Sequence, residues 1–335
     1  MSEQADVGGR SELLGEARPG DRRPSKVAIV GAGAVGSTLA YACLLRGAAR
    51  EVVLYDLNKE KVKAEALDIA HGIAFTPMGT VAGSDDIAIC ADADIVVVTA
   101  GAKQKPGQSR LDLAGATIGI MRDLLPRVTA VAPSATYIMV ANPVDVVTYA
   151  GLKISGLPEN RLFGSGTVLD TSRLRYLVAR ECGVAVQNVH AYIAGEHGDS
   201  EIPLWSSASI GSVPLLAWEV PGRPPLDAAT REDIHRQVIG AAGEIIRGKG
   251  ATNYAVGLAA ARIIEAVLDD QRQVLPVSSL LDGQAGIGDV CLSLPSVVDR
   301  LGVDVVLPSP LSEEEAAGLR RSADTVRGVI KRLAL

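Results

Sequence analysis

A glycine-rich turn between a buried strand and a helix constrains the fold of this chain most strongly. Lys26–Val30 (KVAIV) is an apolar run with the length and residue types of a strand buried on both faces. Gly31–Gly36 (GAGAVG) follows directly, and an apolar pattern typical of a helix then extends to Leu45. Amides at the start of such a helix can face a pyrophosphate with no side chain in the way. The pattern predicts a dinucleotide-binding strand, turn and helix.

The next strand supplies an acidic residue at the spacing that such a unit requires. Glu51–Leu54 is a second apolar run, and Asp56 lies 20 residues after Gly36. A carboxylate at this point accepts hydrogen bonds from the adenosine ribose hydroxyls and repels a 2′-phosphate. The pattern therefore favours NAD over NADP. The alternative is an ordinary glycine turn followed by a surface aspartate.

Further elements alternate in the same manner. A helix is predicted over Lys59–Ala70 with Asn58 as its N-cap, and strands are predicted over Asp94–Val98 and Ala135–Val140. This alternation predicts an α/β fold with a doubly wound parallel sheet, whose ligand lies beyond the carboxyl ends of the strands. We predict a mobile tail over residues 1–24, an NAD-binding Rossmann domain over 25–164 and an α+β substrate domain over 165–335.

The second half of the chain combines helices with an antiparallel pair of strands. Ile234, Val238, Ala242 and Ile245 mark an amphipathic helix, and a second helix is predicted over Tyr254–Leu268. The two strands are predicted over residues 273–280 and 286–291, and a capping box of Ser312 and Glu315 is predicted to open a last helix that ends near Leu333.

Composition excludes several classes of partner. The chain is 47% hydrophobic and 21% charged, and its net charge of −6 has no long basic run behind it. Neither a nucleic acid nor a membrane surface has electrostatic support. No apolar run reaches the roughly 18 to 20 residues of a membrane span, and no signal peptide is recognisable, so we expect a cytoplasmic protein.

The four cysteines predict neither a disulfide framework nor a metal site. Cys43, Cys90, Cys182 and Cys291 lie far apart and form no CxxC pair. We expect reduced thiols in the core of a cytosolic protein, and we predict no bound metal.

Two polar segments follow the predicted parallel strands. Thr99–Asp112 is rich in glycine and cations and has almost no large apolar side chain, so we predict a mobile lid that brings Gln104 and Arg110 to a ligand. An ordinary solvated loop is the alternative. Asn142 offers an amide side chain at the same edge of the sheet.

Ionisable residues in the second half form the other candidate cluster. His197 stands between two glycines in GEHGD, which suits a proton donor that faces a ligand, although a structural histidine would also fit. Asp170 and Arg173 lie three residues apart on one helical face, whereas Arg175 points in nearly the opposite direction. Surface ion pairing is the alternative for both arginines. Thr252 has a hydroxyl and a methyl that suit a small pocket.

Together, VGAGAVG, GAKQKPGQSRLDL, NPVD, LDTSRLR and GEHGDS give the chain a specific resemblance over about residues 26–333. The sequence resembles the bacterial L-lactate dehydrogenases of the lactate/malate dehydrogenase family, in particular the type that fructose 1,6-bisphosphate activates. The resemblance implies reversible hydride transfer between NADH and pyruvate to give L-lactate, the last step of lactic fermentation, in a homotetramer. Residues that would line the NAD site by this resemblance are Gly31, Gly33, Gly36, Asp56, Lys61, Gly101, Ala102, Asn142 and Ser165.

The resemblance also assigns catalytic roles. His197 would donate the proton to the pyruvate carbonyl, and Asp170 would fix its tautomer and favour the imidazolium. Arg173 would clamp the substrate carboxylate in a two-pronged hydrogen bond, and Arg110 would polarise the carbonyl. Asn142 would touch cofactor and substrate, while Thr252 would shape the end of the pocket that holds the methyl group.

Substrate choice depends on Gln104 in this interpretation. Malate dehydrogenases of the family have an arginine at the matching position, which pairs with the second carboxylate of oxaloacetate, and glutamine offers no charge. Lys103 and Lys105 flank it, so malate dehydrogenase or a broader 2-hydroxy-acid dehydrogenase remains the second hypothesis. A catalytically silent binding protein with the same fold is the third.

The same resemblance implies a regulatory site. Arg175 and His190 match an arginine and a histidine that bind fructose 1,6-bisphosphate across a subunit interface in the allosteric enzymes. Two symmetry-related copies would bring four potentially cationic groups together, which repel one another until a bisphosphate neutralises them. Two unrelated surface residues are the alternative.

Overall fold

The structure is a computed structural model that describes residues 24–77, 79–102, 110–220 and 226–335, with only the backbone of Arg110. The predicted tail therefore lies, except for Pro24, outside the described residues. So does half of the predicted lid, residues 103–109, which include Gln104.

A nine-stranded sheet organises the described part of the chain. Its strands lie in the order β14-β13-β12-β6-β5-β4-β1-β2-β3. The bounds are β1 (Lys26–Val30), β2 (Glu51–Tyr55), β3 (Thr80–Ser84), β4 (Ile95–Val98), β5 (Thr136–Met139), β6 (Leu162–Gly164), β12 (Gln273–Asp282), β13 (Gly288–Asp299) and β14 (Gly302–Val306). Short strands beside it are β7 (Val189–His190), β8 (Ile193–Ala194), β9 (Ile202–Pro203), β10 (Ser209–Ile210) and β11 (Val213–Pro214).

Strands β1 to β6 are mutually parallel, as the alternation of elements predicts. Apolar side chains fill their interiors because helices cover both faces of the sheet. The helices are α1 (Ala34–Arg46), α2 (Lys59–His71), α3 (Arg110–Val131), α4 (Val144–Ser155), α5 (Val168–Cys182), α6 (Ala228–Lys249), α7 (Tyr254–Leu268) and α8 (Glu313–Arg332).

The sheet continues beyond β6 with antiparallel strands. β12 pairs with β6 through Ser278 and Gly164, and β13 and β14 extend the same edge. One sheet thus crosses the predicted boundary between residues 164 and 165, and the two sequence halves share a backbone layer. This continuity fixes the position of the segment that contains His197, because the backbones of Gly195 and Ser293 also exchange hydrogen bonds, of 2.8 and 3.0 Å.

Most sequence-predicted elements are found with small changes of length. The side chain of Asn58 caps α2, and Ser312 and Glu315 form the predicted capping box of α8. The predicted antiparallel pair is present, but β13 runs to Asp299 rather than Cys291 because it pairs with β12 on one side and β14 on the other. The four cysteines are free and buried, as predicted. Among the described residues, no helix combines the length and apolar character that a membrane span requires.

Candidate active site

The glycine turn positions a helix N-terminus beside the carboxyl ends of β1 and β4. Gly31 has φ of +107°, and a Cβ there would lie 2.8 Å from the Ala100 backbone nitrogen. A Cβ on Gly36 would lie 1.8 Å from the Gly31 carbonyl oxygen. A side chain at either position would therefore force α1 away from the sheet.

Gly33 differs from its two neighbours in the motif. It has an ordinary φ of −78° and is the N-cap of α1, and a Cβ built there meets no atom within 4 Å. The space above Gly33 is open because it adjoins a cavity of about 850 Å³. Backbone amides of the first turn of α1 thus have open access to a ligand, as an anion-binding helix terminus requires.

That cavity gathers most of the residues that the resemblance assigns to NAD and substrate. Its lining includes Gly31, Gly33, Gly36, Asp56, Lys61, Gly101, Ala102, Asn142 and Thr252. Ser165 is not part of this lining; it follows β6, where its backbone amide donates a 2.8 Å hydrogen bond to the Met139 carbonyl. The remaining lining is largely apolar and comes from α1, α3 and α7 and from the ends of β1, β2, β4 and β5.

Asp56 lies at the end of β2 on the cavity wall. Its Oδ2 accepts a 2.8 Å hydrogen bond from the Ala32 amide in the glycine turn, and its Oδ1 accepts one of 2.9 Å from the Asn58 amide. The carboxylate therefore has a fixed orientation. A cavity of about 850 Å³ with an open helix N-terminus and a fixed carboxylate at the end of β2 fits a dinucleotide without a 2′-phosphate.

The predicted lid is only partly within the described chain. Gln104 lies outside the described residues. Arg110 is the first residue of α3, so the helix begins two residues earlier than the predicted end of the lid at Asp112. The prediction that Arg110 belongs to a loop is wrong at this end, because the apolar pattern of Leu111, Ala114 and Ile118 already follows a helical period.

The candidate proton-transfer pair is formed by Asp170 on α5 and His197. Asp170 Oδ2 and His197 Nδ1 are 2.5 Å apart, and Asp170 is 2% exposed. Burial alone would lower the pKa of His197, but the Asp170 carboxylate outweighs it and raises that pKa to about 9. Burial would raise the pKa of Asp170, yet His197 and Arg173 hold it below its ordinary value. The pair is therefore a carboxylate and an imidazolium at neutral pH.

Arg173 forms an ion pair with Asp170, as their spacing allows, but the pair is buried rather than on the surface. Its Nη1 donates a 2.7 Å hydrogen bond to Asp170 Oδ1, one turn earlier on α5. Asp170 thus bridges Arg173 and His197 with its two oxygens. A guanidinium has further N–H groups in a planar fork, so Arg173 can bind a substrate carboxylate without leaving the site.

A second buried carboxylate, Asp145, fixes the backbone of residues 195–201, the catalytic segment that contains His197. Its Oδ2 accepts a 2.8 Å hydrogen bond from the His197 amide, and its Oδ1 accepts one of 2.6 Å from the Ser278 hydroxyl. Burial raises the pKa of Asp145 to about 6, although both hydrogen bonds oppose the shift. Asp145 lies three residues after Asn142, which lines the cavity. Asp145 therefore connects the wall of that cavity to the Asp170–His197 pair.

Glu201, four residues after His197, is a third acidic residue beside the pair. It is 3% exposed, and within the described structure its Oε1 has no hydrogen-bond partner. A carboxylate oxygen of Glu201, one of Asp170 and a ring nitrogen of His197 all lie within 4.8 Å of one another. Burial, with added repulsion from Asp170, raises the pKa of Glu201 to about 9.

Neither Asp145 nor Glu201 was predicted from the sequence. Asp145 interrupts the otherwise apolar stretch Val144–Val147, and a lone acid in such a stretch is a usable signal of a buried, hydrogen-bonded carboxylate. Glu201 has no comparable signal. Its neighbours Ser200 and Ile202 are compatible with an exposed loop, and its burial depends on α5 and α6.

A second cavity, of about 500 Å³, lies on the other side of α5. Arg175, Gln187 and His190 line it. Arg175 Nε donates a 2.9 Å hydrogen bond to the Ala191 carbonyl, and its guanidinium lies 4.8 Å from the centre of the Tyr192 ring. The structure therefore places Arg175 and His190 together and away from Arg173, with Arg175 bound to the segment that leads to His197.

Comparisons with known proteins agree with this arrangement. Residues 25–164 match the lactate/malate dehydrogenase NAD-binding domain, and residues 167–334 match the lactate/malate dehydrogenase alpha/beta C-terminal domain. An L-lactate dehydrogenase of Bifidobacterium animalis subsp. lactis (strain AD011) is 58% identical over 306 residues, which is 91% of this chain and 96% of that protein. One of Synechococcus sp. (strain JA-3-3Ab) is 48% identical over 306 residues, 91% of this chain and 98% of that protein.

A solved structure is similar over nearly the same extent. The minor L-lactate dehydrogenase from Enterococcus mundtii, in a ligand-bound form, superposes with a TM-score of 0.88 at 38% sequence identity. The match covers 92% of this chain and 98% of the Enterococcus chain. The similarity therefore extends over both sequence halves of the described chain.

Proposed function

The chain belongs to the lactate/malate dehydrogenase family and is an NAD-dependent oxidoreductase, and we propose that it reduces pyruvate to L-lactate with NADH, reversibly, as the last step of a lactic fermentation in the cytoplasm. The observation that carries the proposal is the buried Asp170–His197 pair, with Arg173 on the same carboxylate. Asp145 links this pair to the wall of the dinucleotide cavity, because it binds the His197 amide and lies three residues after Asn142. The relatives' names support the choice of pyruvate and L-lactate.

The residues around the cavity supply what such a reaction needs besides the hydride. NADH, when bound, supplies a hydride to the carbonyl carbon of the substrate. His197 has Nδ1 engaged with Asp170, which leaves Nε2 to give its proton to the carbonyl oxygen. In lactate oxidation the neutral imidazole takes that proton back. Asp170 keeps the tautomer fixed and stabilises the imidazolium.

Substrate orientation is assigned to residues from several elements. Arg173 binds the substrate carboxylate with its remaining N–H groups, and Arg110 polarises the carbonyl from the start of α3. Asn142 and Thr252 line the cavity, and we assign them to the substrate from the family resemblance. Gln104 offers no cation for the second carboxylate of oxaloacetate, and an unpaired carboxylate there costs several kcal/mol. Pyruvate is therefore the preferred substrate.

The decisive assay follows NADH oxidation with pyruvate and then with oxaloacetate under identical conditions. Pyruvate reduction with kcat/KM well above that for oxaloacetate supports the proposal. The reverse ratio makes the enzyme a malate dehydrogenase. If NADH is not oxidised with either substrate, the protein is neither a lactate nor a malate dehydrogenase.

Regulation by fructose 1,6-bisphosphate is part of the proposal. Arg175 and His190 face one cavity, and Arg175 is hydrogen-bonded to Ala191, six residues before His197. In a homotetramer, two symmetry-related copies would face each other, and a bisphosphate would neutralise their mutual repulsion. Binding would then favour the arrangement in which Arg173, on the same helix, meets the substrate carboxylate, with a coupling of roughly 1–3 kcal/mol.

Saturation with pyruvate, with and without the bisphosphate, tests this regulation in the wild type and in Arg175→Gln. We expect a lower apparent KM with the bisphosphate in the wild type and little response in the variant. If the wild type does not respond, or the variant responds equally, Arg175 and His190 do not form a regulatory site. Sedimentation of the wild type at the assay concentration tests the tetramer.

A further inference from the structure

We propose that Glu201 is a positioning residue of the proposed reaction, an acid that shares its proton equilibrium with the Asp170–His197 pair and thereby sets the pH at which His197 loses its proton. The effect of Glu201 on the reaction rests on the proposed function. Its structural basis is independent, because it depends on where three ionisable side chains lie.

Burial and the lack of a partner distinguish Glu201 from an ordinary structural acid. The residue is 3% exposed, and its Oε1 accepts no hydrogen bond from any group in the described part of the chain. A buried carboxylate normally has several donors or a cation, because an unpaired charge is costly in an apolar interior. The carboxyl group of Glu201 therefore remains neutral more easily than an exposed one.

The surroundings of Glu201 couple its charge to His197. The side-chain oxygens of Glu201 and Asp170 and a ring nitrogen of His197 lie within 4.8 Å of one another, where unit charges interact strongly. Charged or titratable groups on the packed elements are Asp170 and Arg173 on α5, His197 and Asp199 on the catalytic segment, Asp145 on α4 behind His197, and His235 on α6. His235 Nε2 donates a 3.2 Å hydrogen bond to the Glu201 carbonyl and holds its backbone rather than its carboxyl group.

Glu201 itself has the protonation that this coupling requires. Burial raises its pKa to about 9, close to that of His197. At neutral pH the cluster therefore holds an Asp170 carboxylate, a His197 imidazolium and a neutral Glu201. A metal ion is disfavoured at the same three residues because the Arg173 guanidinium is already bound to Asp170.

Rising pH then removes protons from two linked groups. If Glu201 ionises, its negative charge stabilises the imidazolium, so His197 keeps its proton to a higher pH than Asp170 alone would allow. Pyruvate reduction needs the imidazolium, so the pH range of this reaction extends to higher pH. Lactate oxidation, which needs the neutral imidazole, begins at a correspondingly higher pH.

Glu201→Gln tests the idea because the amide has the size of the neutral acid but cannot ionise. We expect the alkaline limb of the kcat/KM profile for pyruvate reduction to move down by about one pH unit, because His197 then loses its proton without the opposing charge of Glu201. Glu201→Asp keeps an ionisable group and should recover about half of that displacement. Asp299→Asn is the control for removing a buried carboxylate elsewhere, since Asp299 is 5% exposed and lies six residues beyond Ser293 along β13. The kcat/KM profile of this variant should not move.

Nitrogen-15 NMR of labelled histidine gives a readout that does not depend on turnover. The chain has four histidines, so the signal of His197 can be assigned by its absence in His197→Asn. We expect the wild-type imidazole to titrate in two linked steps, and the Glu201→Gln imidazole to titrate in one step at lower pH. The wild-type curve tests the proposal even if the glutamine variant does not fold.

The outcomes separate the two proposals. A single-step wild-type titration, or a glutamine variant with an unmoved alkaline limb and an unmoved His197 titration, overturns the role of Glu201 and leaves the dehydrogenase proposal intact. A wild type that does not reduce pyruvate overturns the proposed substrate, while the NMR titration still decides whether Glu201 and His197 share a proton equilibrium.

Discussion

The cofactor cavity and the proton-transfer cluster lie close together but are built in different ways. The cavity depends on backbone: a turn without side chains, a helix N-terminus and the ends of parallel strands. The cluster depends on charged side chains in a buried setting, where Asp145, Asp170, His197 and Glu201 set one another's protonation. Backbone shape, together with the carboxylate of Asp56, determines what binds in the first region, and charge determines what reacts in the second.

The difference also separates the effects of substitution. A change in the glycine turn should alter folding or cofactor affinity and leave the pH dependence in place. A change in the cluster should alter rates and pH profiles and leave cofactor affinity in place. Each prediction below tests one side of this division.

The largest effect is expected for Gly36→Ala, with Gly33→Ala as its matched control. A Cβ on Gly36 would lie 1.8 Å from the Gly31 carbonyl oxygen, whereas one on Gly33 meets nothing within 4 Å. Gly36→Ala should lose about 3 kcal/mol of unfolding free energy, enough to leave little active enzyme. Gly33→Ala should keep its stability but bind NADH about tenfold more weakly, or about 1.4 kcal/mol.

Denaturant unfolding and fluorescence titration with NADH measure these two properties separately. Equal losses of stability in both variants would contradict the account of the turn, as would a Gly36→Ala protein that is as stable as the wild type.

Asp170→Asn should have the next largest effect, within the cluster. The amide keeps the size of the acid but removes the charge that contributes most to raising the pKa of His197 to about 9, so that pKa should fall while burial continues to lower it. The imidazolium should be lost at a lower pH, and pyruvate reduction at neutral pH should fall by about 100-fold or more. The alkaline limb of the kcat/KM profile should move down while the NADH dissociation constant stays unchanged. An unmoved limb would mean that another group controls the proton of His197.

Asp56→Ser should have the smallest effect, on cofactor choice alone. The Asp56 carboxylate lies on the cavity wall at the end of β2, fixed by the amides of Ala32 and Asn58. Without its charge, the preference of kcat/KM for NADH over NADPH should narrow by about tenfold. If the ratio does not change, selection against the 2′-phosphate belongs to another residue.

The same division explains what could be predicted from the sequence. The strand, turn and helix at Lys26–Leu45 follow from local periodicity and glycine spacing, and the structure confirms them. The family resemblance supplied Asp170 and His197 as partners although they lie 27 residues apart, and the structure brings them to 2.5 Å. Helical spacing placed Asp170 and Arg173 on one face, but it did not reveal that their ion pair is buried.

The burial of Glu201 and the contact of Asp145 with the His197 backbone could not be predicted. Asp145 is 52 residues before His197, and its contact depends on how α4 and β12 pack around the catalytic segment. Glu201 stands between polar Ser200 and the apolar run that begins at Ile202, so local hydropathy does not indicate whether its side chain is buried. Long-range packing decides both, and pKa values that depend on packing cannot be derived from local sequence.

His197→Asn tests the central claim, that cofactor binding and proton transfer reside in separate groups. The measurement is a single-turnover reduction of pyruvate by prebound NADH, with the NADH dissociation constant determined on the same sample. We predict an unchanged dissociation constant and a rate of hydride transfer that is lower by on the order of 100-fold or more, because the proton donor is lost while the cavity is intact. Near-normal turnover would remove His197 from the mechanism, and a large loss of NADH affinity would contradict the separation of the two regions.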